Sequence, residues 1–320
     1  MLGRLVSEQL RRGRRAKTCW GNVAPILKAA DGVIANLECA ITRHDQPWRR
    51  TPKVFHFGAD PLAIKVLEEG NIRAVSLANN HILDFEVAGL MDTLALLDRA
   101  GIAHAGAGRS ENEAFAPAWF KIGDLNIALF AVTDNEPSFS APGAEPGTAY
   151  VNLSNSMSGL RPEATEIEKV RAEGADLVIL SCHLGPNMVL QPSTPILNYR
   201  HTAVDRGIDI VYGHSAHVVQ GVERVGHSLI LHDTGDFLDD YAVDPELRND
   251  LSFVSLVETE GAHLRRLSLL PVALGFAEVR LAKASEAEHL YTRMTELSTE
   301  FGTSFSRSSE RLELDLAQDS

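Results

Sequence analysis

Asn79-Asn80-His81, with Asp84 three residues on, sets an amide oxygen, an imidazole and a carboxylate in one short stretch. An amide oxygen and an imidazole from one rigid turn suit a metal centre, or a metal ligand beside a proton donor. Asp84 is spaced to orient His81, as carboxylates do for functional imidazoles. Three further places carry similar chemistry: Glu38, His183, and the pair His214 and His217. His214 and His217 lie three apart after a glycine and can point at one centre from one tight loop. Each group alone is weak, because Asn and Asp favour ordinary turns and a lone histidine is usually a satisfied polar residue. Taken together they are a mixed nitrogen and oxygen donor set with a carboxylate able to bridge. Such a set suits a pair of first-row divalent ions, manganese, iron or zinc, whereas magnesium or calcium prefers oxygen alone. A pair of such ions supports hydrolysis by activating water and stabilising developing negative charge.

The elements that must position these groups can be read from apolar periodicity. Runs at 32–37, 74–78, 176–182 and 208–212 read as buried strands, each running into one of the four groups. Helical spacing follows at 61–69, 87–97, 162–174 and 194–205, with a shorter helix at 20–30. This alternation predicts an α/β fold. Because carboxyl ends of parallel strands share one sheet edge, the four groups are expected to converge there. Residues 119–122 and 126–132 read as a hairpin. Strand pairs at 218–233 and 251–270 suggest a second, mixed sheet. A last helix at 286–300 sets Leu290, Met294 and Leu297 on one face. The polar stretch 39–57 reads as a loop over the site, and 133–161 as a long loop of functional length.

Composition narrows the classes. With 320 residues and 44% hydrophobic content, the chain can bury a large core. A net charge of −13 argues against a nucleic-acid partner. No apolar run reaches membrane-spanning length and no signal-peptide pattern opens the sequence, so a cytoplasmic location is the default. Cys19, Cys39 and Cys182 are odd in number and lack CxxC spacing, which fits a reducing compartment. Cys182 beside His183 reads as a core thiol rather than a nucleophile. Arg4, Arg11, Arg12, Arg14, Arg15 and Lys17 read as a solvated basic face. The acid-rich stretch from His232 to Tyr241 is explained as well by a hairpin turn as by a substrate-binding role. Gly106-Ala107-Gly108 lacks the lysine and spacing of a phosphate loop.

Several segments, in order, resemble the capsule-synthesis CapA family, also called PgsA-like or poly-γ-glutamate biosynthesis proteins and related to calcineurin-like metallophosphoesterases. They are Asn36-Leu37-Glu38, Leu77-Ala78-Asn79-Asn80-His81 with Asp84, His183-Leu184-Gly185, Gly213-His214-Ser215-Ala216-His217 running on to Glu223, and Gly235-Asp236-Phe237. The resemblance implies a four-layer α/β/β/α metallophosphoesterase-like sandwich at 1–275, with a C-terminal helix and tail at 276–320 packed on it. It places Glu38, Asn80, His183, His214 and His217 on ligand positions of a binuclear divalent-metal site, and His81 on the general-acid position, supported by Asp84. It implies a metal-dependent hydrolase or transferase acting on an amide or phosphoester bond of a polymer or small-molecule substrate, in association with capsule-synthesis proteins. The alternative it leaves open is a non-catalytic accessory component of polymer synthesis or export. Family members begin with a strand ending in Gly-Asp. Here Met1-Leu2-Gly3-Arg4 stands just past it, so that strand and one aspartate ligand are expected to be lacking. Many members also carry an N-terminal membrane anchor. Gly-His-His-Pro-His is here Gly-His-Ser-Ala-His, and His-Trp-Gly is His-Leu-Gly.

Overall fold

A computed structural model describes residues 1–154, 160–308 and 310–317. Three parallel strands, Val33–Asn36, Ile72–Ser76 and Ala103–Ala105, form a first sheet with Ile72–Ser76 in the middle. A second sheet has four parallel central strands, in the order Ser228–Leu231, Ile210–Gly213, Leu177–His183 and Leu125–Thr133. Val222–Val225 and Ala118–Ile122 close its two edges antiparallel. A third, antiparallel sheet is built on the long hairpin Leu251–Glu260 and His263–Gly275, which Glu278–Leu281 and Leu312–Asp315 extend.

Strand periodicity sorts side chains into three cores, because successive residues face opposite sides of a sheet. In Leu125–Thr133, Ile127, Leu129 and Ala131 face the first and third sheets, while Ala128, Phe130 and Val132 face helices. Along His263–Gly275, Leu267 and Leu269 share the former core, whereas Leu270 and Val272 join a separate one with Leu90, Leu94 and Leu97. Helix Glu86–Ala100 covers the first sheet, the 3-10 segment Ala16–Val23 packs on Glu278–Leu281 of the third, and helices Ala164–Ala172 and Thr194–Asp205 cover the second. The layers therefore run helix, sheet, sheet, helix, as expected. Among the described residues, Val33–Asn36 has one partner strand, Ile72–Ser76, and its other edge is unpaired.

Two expectations need correction. The pairs at 218–233 and 251–270 do not make one mixed sheet. The first completes the second parallel sheet and the second founds a separate antiparallel one. Nor do the four strand ends share one edge: Glu38 and Asn80 follow the first sheet, and His183 and His214 the second. Local periodicity gives strand faces but not which strands pair. Of the 133–161 loop, residues 155–159 lie outside the described residues. The rest holds a short 3-10 turn at Pro137–Phe139 and a strand, Gly147–Thr148.

The two sheets touch where the site is built. Gly106 has φ +95°, and a Cβ there would come within 2.5 Å of the Ala78 Cβ and 2.8 Å of the Ala131 Cβ. Only glycine lets the end of the first sheet approach the second this closely.

Candidate metal centre and proton relay

Glu38 stands two residues beyond Val33–Asn36 and is 4% exposed. Its Oε2 accepts from Asn36 Nδ2 at 3.0 Å, while Oε1 is buried with no hydrogen-bond partner. That bare oxygen faces His217 Nε2 at 3.7 Å and His81 Nε2 at 4.0 Å. Burial alone would raise the Glu38 pKa, but the imidazoles of His217, His183 and His81 outweigh it and hold it below the ordinary value.

Asn79 and Asn80 divide the work of the turn. Asn79 is scaffold: its Nδ2 donates to Asn36 Oδ1 and Leu37 O, both at 3.0 Å, and its Oδ1 accepts from the His81 amide. It staples one strand end to the other. Asn80 keeps its Oδ1 buried and unpartnered, while its backbone carbonyl accepts from Lys53 Nζ at 2.6 Å. His81 Nδ1 lies 2.6 Å from Asp84 Oδ2, and Phe57 stacks on the ring at 3.7 Å between centroids. Phe57 N also donates to Asp84, and Lys53 Nζ sits 3.4 Å from its other oxygen. Burial pushes His81 down to about 3 and Asp84 up to about 7, the latter partly countered by Lys53.

The second sheet brings His183 and the 214–217 loop. His183 Nδ1 lies 2.9 Å from His214 Nδ1, and His214 Nε2 lies 2.8 Å from Ser181 Oγ. Both ring nitrogens of His214 are thus engaged within the protein. Burial drives His183 well below its ordinary pKa and His214 down to about 3. His217 adopts φ 58° and turns its Nδ1 onto Asp236 Oδ1 at 2.8 Å. Burial would lower His217, but Asp236 and Glu38 override it and raise the ring to about 10. Asp239 is pushed up to about 7 by burial and by the neighbouring Asp236. The Met1 ammonium donates to Leu238 O at 2.8 Å beside this acidic corner.

The donor chemistry fits divalent ions. Buried carboxylate and amide oxygens without donors are costly unless a cation satisfies them. Glu38 Oε1, Asn80 Oδ1, Asp236 Oδ2 and Asp239 Oδ2 are such atoms. His217 and His81 gather around the bare Glu38 Oε1 at 3.7 and 4.0 Å. Among the described residues, though, no group of three or more His, Cys, Asp or Glu side chains stands ready-made to hold an ion. The Nδ1 atoms of His183 and His214, both expected as ligands, are turned onto one another.

The sequence places Asn36 and Asp236 in segments of the family resemblance without giving either a role, and it does not single out Lys53 or Phe57. The signal for Asp236 is the Gly235-Asp236-Phe237 segment of that resemblance. Lys53 lay hidden in a polar stretch, yet its side chain is only 8% exposed. Cys182 is buried among the apolar residues facing the helices, and its thiol is pushed up to about 12, so it is a core residue.

Residues 1–241 match the family described as bacterial capsule synthesis protein PGA_cap, and the chain belongs to that family. It is 29% identical to a probable polyglutamine synthesis accessory protein of Mycobacterium tuberculosis over 88% of this chain and 77% of that protein. It is 28% identical to the PGA biosynthesis protein CapA of Bacillus subtilis, over 75% of this chain and 61% of that one. Among solved structures, a novel phosphatase of Mycoplasma pneumoniae aligns with 81% of this chain and 82% of its own, at 13% identity and a TM-score of 0.47.

Proposed function

We propose that this chain is a metal-dependent hydrolase or transferase of capsule polymer synthesis, cutting or transferring at an amide bond of a glutamyl polymer or at a phosphoester bond of a smaller substrate. The observation that carries the reading is the bare, buried Glu38 Oε1 facing the Nε2 atoms of His81 and His217. Glu38, Asn80, His183, His214 and His217 would hold two divalent ions, manganese, iron or zinc, which supply Lewis-acid activation when bound. The chain's own groups do the rest. Asp84 fixes the His81 ring through Nδ1 and leaves Nε2 toward the pocket, where it would take up a proton from the attacking water and pass it to the leaving group. Phe57 stacked on that ring keeps water from its face. Asn79 holds Asn80 and Glu38 in register by tying the turn to Asn36.

Metal content of the purified chain, with hydrolysis of poly-γ-glutamate and p-nitrophenyl phosphate, tests this directly. His81→Ala and His183→Ala should each abolish turnover, and full activity in both variants would remove the mechanism. The engaged nitrogens of His214 favour a second reading, an accessory that binds polymer without chemistry. Polymer binding with less than one ion per chain and no turnover would decide for it.

A further inference from the structure

A groove of about 700 Å³ opens between the end of helix Arg4–Arg11, the 3-10 segment Ala16–Val23 and helix Ala63–Glu69. Arg14, Arg15, Lys17, Lys28 and Lys65 line it, against Glu68 and Glu69. In a chain of net charge −13, this local excess of cations needs a reason. Two of the five are committed: Arg14 pairs with Glu278 at 2.9 Å and Lys28 with Glu69 at 2.8 Å. Arg15, Lys17 and Lys65 are exposed and, among the described residues, have no ion-pair partner for their side chains. Five cations face the two carboxylates of Glu68 and Glu69, the latter held low by Lys28 and also by Lys17, so the concavity keeps a surplus of positive charge that a bound anion would offset.

We infer that this groove is a second binding site, distinct from the metal centre, for a carboxylate-bearing polymer chain. Its place in the fold fits a strand threaded from the centre. Helix Arg4–Arg11 begins at Arg4, whose guanidinium lies 5.1 Å from the Phe57 ring that stacks on His81, and its Leu10 lines the groove. Its eight residues span about 12 Å, roughly four residues of extended chain. The groove's shape and lining disfavour other anions. A bilayer needs an apolar anchor on a flat or convex face, and this surface is concave with one exposed apolar side chain, Leu62. Single-stranded nucleic acid binds on aromatic stacking platforms, and no aromatic residue lines the groove.

The inference rests on the polymer reading above, and the test separates the two. Binding of fluorescein-labelled poly-γ-glutamate to the full chain is measured at low and high salt. The chain is compared with an Arg15→Ser/Lys17→Ser/Lys65→Ser variant and with a Lys17→Arg/Lys65→Arg variant. Serine replacement should weaken binding about tenfold at low salt and reduce its salt dependence, with circular dichroism and metal content unchanged. The arginine variant should bind like the parent. Unchanged affinity in the serine variant overturns the groove while leaving metal content and hydrolysis to judge the centre. Equal or tighter binding of a single-stranded oligonucleotide, or of phosphatidylglycerol vesicles, overturns the assignment to a polycarboxylate. Loss of hydrolysis in His183→Ala with polymer binding intact leaves the groove standing.

Discussion

His81 and His217 face the same oxygen of Glu38, and each rests its Nδ1 on an aspartate, yet their surroundings drive them in opposite directions. His81 lies under Phe57, with Lys53 beside its aspartate, so burial dominates and the ring stays neutral. His217 has Asp236, Glu38 and Asp233 around it, and their negative charge outweighs burial and raises the ring to about 10. The difference teaches a division of labour. Under the proposed mechanism, the carboxylate-rich corner would collect positive charge, whether a proton or a metal ion, and the apolar pocket with a buried lysine would hold an imidazole ready to carry a proton.

Glu38→Gln should break the comparison altogether, because it removes the one group both rings share. The expected result is loss of metal from the purified chain and loss of turnover by roughly a thousandfold or more, as for a group central to a metal site. Elemental analysis beside p-nitrophenyl phosphate hydrolysis reads both. Retention of a full metal complement would show that the Glu38 oxygen is not what the two imidazoles converge on.

Next in size are the two aspartates, and here the two ends should separate. Asp236→Asn should weaken metal affinity about 10- to 100-fold by loosening His217. Asp84→Asn should leave metal content near the parent value and lower turnover about 100-fold through His81. The metal-free chain adds a pH signature. The folded His217 pKa, about 10, lies above its ordinary 6.5. Its contribution to stability is therefore fully present below pH 6.5 and is lost as pH rises through about 10. Thermal melts in chelator should show that loss between pH 7 and 10 in the parent and much less of it in Asp236→Asn. An unchanged alkaline slope would contradict the charge assigned to His217.

Much of this arrangement is legible in sequence because each group follows an apolar strand, and strand faces follow period-two alternation. The four-layer class and the candidate residues Glu38, Asn80, His81, Asp84, His183, His214 and His217 could be named from that pattern and the family resemblance. The pairing of strands could not, since Ile72–Ser76 and Leu177–His183 look alike locally and differ only in distant partners. Asp236 escaped because acids also populate turns. Lys53 escaped because nothing in a polar loop says that one lysine folds back beneath it to reach Asn80 and Asp84.

That hidden lysine gives a smaller effect. Lys53→Met removes the donor to the Asn80 carbonyl and the charge beside Asp84 while keeping most of the side-chain volume. Turnover should fall about tenfold, with partial recovery in Lys53→Arg. Metal content should change little, which would set Lys53 with the proton-carrying end of the comparison. A matching loss of metal would instead place it with the collecting end.

The smallest expected effect is at Cys182, the neighbour of His183. Ser181 and His183 point toward His214, so alternation turns the intervening thiol to the opposite face of the sheet. There it packs with Val178, Leu180 and Tyr199, and burial holds it protonated. Cys182→Ala should cost about 1–2 kcal/mol of stability for the small void it leaves. It should leave turnover within about twofold of the parent, since no thiolate is available to attack. A loss of turnover larger than the loss of folded protein would mean that the sheet presents this residue to the pocket, and the separation of the two faces that organises the site would fail with it.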